Sequence, residues 1–318
     1  MTPHLLTGTG ESYLAAGMNA AGQTGRKLYY GHAQSIIVSK EIAEDDMVPV
    51  LDFISRQNDM RLSLRLLVSR EDSAAAVLHT KPSTEQLGSF ELSLRATEQG
   101  RDGPAMPFYQ FYSEVKEPGI DPFLPAVSVE SGDDEAATQL DGAALFQGTR
   151  LRGFLDEQQT QTLLLLRNLS SSGLITVPRS DAQGGDVTFS IDSYHTSMRP
   201  VIQGDTVRCS LRLRMEVMVG ELEGDQGVLS KEAQQQLSQL CSGQVQRQVE
   251  ALLQDLQTKY GCDTLGVGLS INRYHPHQWE QWSDTWRQRF PQVEFDVQVD
   301  TTVTGTGRMY MPVDRATN

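Results

Sequence analysis

Val207-Arg208-Cys209-Ser210-Leu211-Arg212-Leu213-Arg214-Met215-Glu216-Val217-Met218-Val219 alternates apolar and polar side chains as far as Val217. Val207, Cys209, Leu211, Leu213, Met215, Val217 and Val219 fall on one side, with Arg208, Ser210, Arg212, Arg214 and Glu216 between them. A period of two marks an extended strand with one face buried and the other in water. Ordinary strands are about 5–6 residues long, so this one reads as the floor of a domain. A second run, Val293 to Val303, places Val293, Phe295, Val297 and Val299 on one side and Glu294, Asp296, Gln298 and Asp300 on the other. The outer face of the first strand is basic and that of the second acidic. Opposite charges facing each other across strands contribute roughly 0.2–1 kcal/mol per pair. The pattern predicts that the two strands are neighbours, and antiparallel.

What covers their apolar face lies between them. Ser230 to Tyr260 has helical periodicity, with Ser230 placed as N-cap and Gly261 as a stop. Its stripe is Leu237, Leu240, Cys241, Val245, Val249, Leu252, Leu253 and Leu256, at spacings of three and four. A second helix is expected over Pro276–Phe290, with Trp279, Trp282 and Trp286 on one face, packed as core against the long helix or partly exposed for docking. The fold class is α+β: a C-terminal antiparallel sheet covered on one face by a long helix and a Trp-bearing helix.

The N-terminal half predicts a mixed α/β lobe. Gln34–Val38 reads as a strand, Glu41–Ser55 as an amphipathic helix and Leu62–Val68 as a second strand, a crossover that makes the strands parallel. Two strands cannot stand alone, and residues before Met1 are the expected source of others. Tyr13–Ala20, Ser73–Leu78, Leu87–Thr97 and Phe108–Val115 read as helices, and Leu124–Val129 as a strand. Ala143–Phe146 and Leu151–Phe154 suggest a hairpin, and Asp156 caps a helix through Leu166. Val187–Tyr194 alternates before the long strand. The expected domains are residues 1–130, a linker at 131–141 rich in acidic and small residues, and 142–310, of which 142–180 could form a small middle domain.

Charge and cysteine content narrow the function. A net charge of −14 in 318 residues argues against nucleic-acid binding, which needs a basic footprint, and against attraction to anionic lipid. The longest apolar run, Leu163–Leu166, is far short of the ~20 residues of a membrane-spanning helix. Met1-Thr2-Pro3-His4 has no signal-peptide character. Cys209, Cys241 and Cys262 are too few and scattered for a disulfide framework, so buried free thiols are expected. His275 and His277 flank Pro276 without a further ligand at zinc spacing and read as a helix-initiating turn. Asp133-Asp134-Glu135 lacks the alternating oxygens of a calcium loop. Gly8-Thr9-Gly10 lacks the third glycine and the lysine of a phosphate loop. No nucleophile elbow or metalloprotease helix is present, so no catalytic, cofactor or metal residue is assigned.

One set of pieces carries a resemblance. Leu145-Phe146-Gln147-Gly148-Thr149-Arg150-Leu151-Arg152-Gly153-Phe154-Leu155 precedes a helix, the alternating strand and the long polar helix. Then come Tyr260-Gly261-Cys262-Asp263, Gly266-Val267-Gly268, Tyr274, Pro276, Trp279, Trp286, Phe290-Pro291 and the closing strand. Upstream lie Lys27-Leu28-Tyr29-Tyr30-Gly31-His32, Leu51-Asp52-Phe53, Arg61-Leu62 and Pro118-Gly119-Ile120-Asp121-Pro122-Phe123-Leu124-Pro125. In this order they resemble the Ger(x)C family of spore germination proteins over nearly the whole chain.

The resemblance implies a non-enzymatic C-type lipoprotein subunit of a nutrient germinant receptor. Such a subunit is tethered to the outer surface of the spore inner membrane and works with two integral-membrane subunits, an A-type and a transporter-like B-type. Direct sensing of the nutrient in a cleft of its own is the alternative. The sequence departs from the family in having no signal peptide and no lipid-attachment cysteine, its first cysteine being Cys209. It is expected to start after the opening strands of the N-terminal domain, as a truncation or a late gene start rather than a soluble variant.

Overall fold

The computed structural model describes residues 5–25, 27–78, 103–131, 136–170, 173–178, 185–222 and 230–305. The chain divides into two compact units. The first runs to Leu155 except for Pro118–Ile120, which belongs with the second; the second continues from Asp156. The helix expected at Leu87–Thr97 and the acidic group Asp133–Glu135 lie outside the described residues.

The first unit holds helices α1 (Tyr13–Thr24), α2 (Lys40–Asp45), α3 (Val48–Arg56), α4 (Ala74–Leu78) and α5 (Phe108–Lys116). Its strands are β1 (Ser35–Val38), β2 (Arg65–Ser69), β3 (Phe123–Ser131), β4 (Ala136–Gln147) and β5 (Arg150–Leu155), in that spatial order. The expected crossover is present, with β1 parallel to β2 and Ser35 opposite Arg65. The single helix expected between them is two. Asp46 Oδ1 accepts the Val48 N–H at 3.0 Å, and Pro49 occupies the first turn of α3, where its missing N–H costs nothing. That local cap restarts the helix.

The other described strands of this sheet come from later in the chain. β3 adds parallel to β2, and β4 and β5 add antiparallel. The expected linker at 131–141 is therefore incorrect. β3 reaches Ser131, and β4 starts at Ala136 and pairs Leu140 with Val127. The hairpin of 143–154 forms as expected but belongs to this sheet, so 142–180 is no middle domain. Consecutive residues Ala143–Phe146, Leu66–Val68 and Phe123–Leu124 are buried, which requires cover on both faces. The first half of β4, 136–141, is mostly small and polar residues, so it reads as a linker, while Ala143–Phe146 reads as the hairpin strand that it is.

The second unit opens on α6 (Glu157–Leu166), where Asp156 Oδ1 accepts the Gln159 N–H at 2.7 Å and Gln159 Oε1 accepts the Asp156 N–H at 3.3 Å, a capping box. β6 (Leu174–Pro178), β7 (Asp186–Gln203), β8 (Thr206–Leu222) and β9 (Glu294–Gly305) make the sheet, in that order. Between β8 and β9 come α7 (Lys231–Asp255), α8 (Val267–Tyr274), α9 (Pro276–Trp282) and α10 (Trp286–Arg289). Ser230 caps α7, which continues through a π turn at Leu256–Tyr260 to Gly261 at φ 63°. All of the expected stripe is buried except Leu240, which is half-buried.

β9 is the neighbour of β8 as expected, but it is parallel, so the sheet is mixed. The connection explains why. The 25 residues of α7 span ~37 Å at about 1.5 Å each, returning the chain along the sheet to the end where β8 began. The next strand then runs the same way. Charge pairing survives the reversal: Arg208 lies opposite Glu294 with Nη2 2.9 Å from Oε2, and Arg214 lies opposite Asp300. Along the outer edge of β9, Ser242 and Ser238 of α7 accept the N–H groups of Thr301 and Val303 at 2.9 and 3.0 Å, covering part of an edge that would otherwise invite pairing.

The three thiols are free and buried. Burial, with a contribution from the Asp263 charge, pushes Cys209 from its ordinary 9.0 to about 12, and burial pushes Cys241 to about 11. A buried neutral thiol is a poor nucleophile. A disulfide-exchange reagent at pH 8 is expected to label none of the three thiols in the native chain and all three after unfolding; rapid native labelling would contradict the burial. Folded Cys209 and Cys241 keep their protons to higher pH than unfolded ones. Their contribution to stability is therefore full below pH 9 and falls as pH rises through about 11 and 12.

Candidate functional site

Asp263 gathers most of the pieces that carry the family resemblance in the second unit. Its side chain is 2% exposed. Oδ1 accepts the N–H groups of Gly266 and Val267, both at 2.9 Å. Oδ2 accepts the Gly268 N–H at 2.7 Å and the Trp286 Nε1–H at 2.9 Å. Three of these donors are at the start of α8, where helix N–H groups lack partners within the helix. A carboxylate offers about four acceptor positions, and protein donors occupy that many here. It is a structural anchor, with no capacity left to move a proton or hold a ligand.

The glycines around it exist to let elements touch. Gly119, at φ 84°, lies against α8 so closely that a Cβ would sit 2.4 Å from the Gly268 carbonyl carbon and 2.5 Å from Leu269 N. Gly119 O accepts the Leu269 N–H at 2.6 Å. A Cβ on Gly268 would meet Trp286 Nε1 at 2.5 Å and Trp279 at 2.8 Å. Trp279 and Trp286 pack edge to face at 5.6 Å, and all three tryptophans are buried. The three tryptophans are core residues, and Trp279 packs on Gly119 and, with Trp286, on Gly268 of α8. The expected single helix is broken by a 3₁₀ turn at Ser283–Thr285, where Thr285 Oγ1 donates to Trp282 O at 3.2 Å.

The first unit has a cleft of about 740 Å³ along α1. Leu14 and Met18, one turn apart and 51% and 69% exposed, form one wall. Leu28, Tyr29 and Tyr30 form another, and the cleft's polar lining is Lys27, Arg56, Gln57, Asn58 and Asp59. Tyr30 N donates to Asp59 Oδ2 at 3.0 Å, and the Tyr30 ring meets Phe53 edge-on at 5.8 Å. Gly17 leaves room for the Tyr30 hydroxyl, which a Cβ there would strike. Burial and the Asp59 charge raise the Tyr30 pKa, so it is a neutral hydroxyl at physiological pH. Lys27–His32, quoted above as a family-like segment, gave no sign of a cleft, because its walls come from α1 and the end of α3.

The other sequence candidates are structural. Gly8 and Gly10 cross α1 within contact of Ala16, and Thr9 N donates to Asn19 Oδ1 at 3.3 Å, so this segment packs on a helix. His275 and His277 are exposed on the turn that begins α9. Among the described residues no group of three or more His, Cys, Asp or Glu is arranged to hold a metal ion. Nor does any described helix have the length and apolarity to cross a membrane.

Comparison with known proteins gives one consistent family. Residues 2–129 match the model of the spore germination protein N-terminal domain, and residues 141–307 match that of the spore germination B3/GerAC-like C-terminal domain. Spore germination protein B3 of Bacillus subtilis (strain 168) is 23% identical over 287 residues, covering 88% of this chain and 75% of that protein. Spore germination protein KC of the same organism is 18% identical, covering 96% of this chain and 79% of that one. The crystal structure of the GerBC protein superposes with a TM-score of 0.68 at 21% identity, covering 89% of this chain and 83% of that one, and so shares the fold.

Proposed function

The chain belongs to the Ger(x)C family of spore germination proteins, and on that footing we propose that it is a non-enzymatic, C-type subunit of a nutrient germinant receptor. In this reading it acts by assembly: the folded body docks on integral-membrane A-type and B-type subunits at the outer surface of the spore inner membrane and supports signalling when nutrient arrives. The observation that carries the reading is the pair of family matches, in order and together spanning nearly the whole chain. The use of Asp263 supports it, because the buried carboxylate within the family-like segment is consumed in holding α8 and Trp286. Membrane attachment comes from the partners and from the family's lipid anchor, since an acidic body at −14 gains nothing from anionic lipid.

The test is affinity purification of the full-length protein from detergent-solubilised spore membranes. Two integral-membrane proteins encoded beside it are expected to co-purify in fixed ratio and to be lost when the body is deleted. Recovery of the protein alone under conditions that keep other membrane complexes intact would overturn the assignment.

A further inference from the structure

We propose that the cleft along α1 binds a small amphipathic amine, with its apolar body against Leu14, Met18 and Leu28 and its ammonium group on Asp59. The inference does not depend on the receptor reading. At about 740 Å³ the cleft lies within the roughly 300–1,000 Å³ typical of small-molecule sites. Its long wall is apolar and open: Leu14 and Met18 are more than half exposed, and Tyr29 is 63% exposed.

The polar lining selects the charge. Asp59 accepts one backbone N–H, from Tyr30, and makes no ion pair among the described residues. Arg56 lines the cleft too, but its guanidinium is engaged by its own helix, with Nε 2.7 and 2.8 Å from the two oxygens of Asp52. Lys27 is exposed. A carboxylate with no ion pair among the described residues, in a cleft with an apolar wall, is completed by a cation that brings its own apolar surface. The neutral Tyr30 hydroxyl, lying against Gly17 of α1, supplies a further hydrogen-bonding group in the cleft. A carboxylate-bearing ligand would meet Asp59 with like charge.

The experiment titrates the full chain, labelled for amide NMR, with 2-phenylethylamine, and in parallel with 2-phenylethanol and 3-phenylpropionate. Saturable shifts are expected with the amine alone, confined to residues 14–30 and 56–59. Asp59→Asn, which keeps an oxygen for the Tyr30 N–H, is expected to weaken the amine at least tenfold. Ala21→Trp, which fills the cleft from a helix position, is expected to abolish binding. Equal binding of the alcohol, unchanged affinity in Asp59→Asn, or no saturable shift would overturn the proposal. If Asp59→Asn fails to give a folded spectrum, Ala21→Trp decides, and undiminished binding there would overturn it.

Discussion

Asp263→Ala is expected to destabilise the second unit by about 4 kcal/mol, far more than an ordinary polar substitution. The change removes the acceptor for four donors, the N–H groups of Gly266, Val267 and Gly268 and the Trp286 indole. Each buried donor left without a partner costs roughly 1–3 kcal/mol, and water reaching some of them lowers the sum. Asp263→Asn separates charge from shape. Its amide oxygen still accepts, but its NH₂ faces donors where a second oxygen stood, so an intermediate loss of about 2–3 kcal/mol is expected. Urea unfolding followed by tryptophan fluorescence reads this unit selectively, because Trp279, Trp282 and Trp286 are the chain's three tryptophans and all lie within it. An alanine variant with the parent midpoint would show that the four donors have other acceptors and that the carboxylate is a passenger.

What could be seen beforehand follows from which faces are buried. β8 and α7 each bury one side, so period two at Val207–Val219 and a three-four stripe at Leu237–Leu256 are written plainly in the chain. Strand direction is not, since alternation reads the same both ways. The cue to parallel pairing was the length of α7, which only a crossover uses well. Only the first half of β4, 136–141, was hidden, because Ala137, Thr138, Gln139 and Asp141 are small or polar and Leu140 is the one strongly apolar residue among them. β6 escaped because five residues ending in Pro178 make a weak signal, although Ile175 and Val177 alternate as buried positions. The order of the family-like pieces was legible, but their convergence was not. Gly119, Asp263, Gly268 and Trp286 meet across more than a hundred residues of chain, and one local hint existed: an aspartate three residues before the glycine that opens a helix.

Long-range ties of this kind also hold the first unit together, and Arg70 is the one with most at stake. Arg70 follows β2 in a sheet ordered β1-β2-β3-β4-β5, and its guanidinium reaches past β3. Nε and Nη2 donate to Asp141 O of β4 at 3.0 and 2.9 Å, and Nη2 also donates to Leu155 O of β5 at 2.7 Å. Nε lies 2.9 Å from Asp141 Oδ2, and the group stacks 4.7 Å from the Phe154 ring centre. One planar side chain thus joins the parallel half of the sheet to its antiparallel half. Arg70→Ala is expected to cost about 2–3 kcal/mol. Hydrogen bonds to a charged group contribute roughly 1.5–3 kcal/mol, while partial exposure, 26% for Arg70 and 31% for Asp141, discounts the ion pair. Lysine keeps the charge but cannot reach two carbonyls and a ring from one plane, so Arg70→Lys is expected to recover less than half of the loss. Amide exchange read by mass spectrometry should show faster opening of β4 and β5 in the alanine variant, with α1 unaffected. Full recovery by lysine would mean that charge alone closes this end of the sheet and that the fork geometry is incidental.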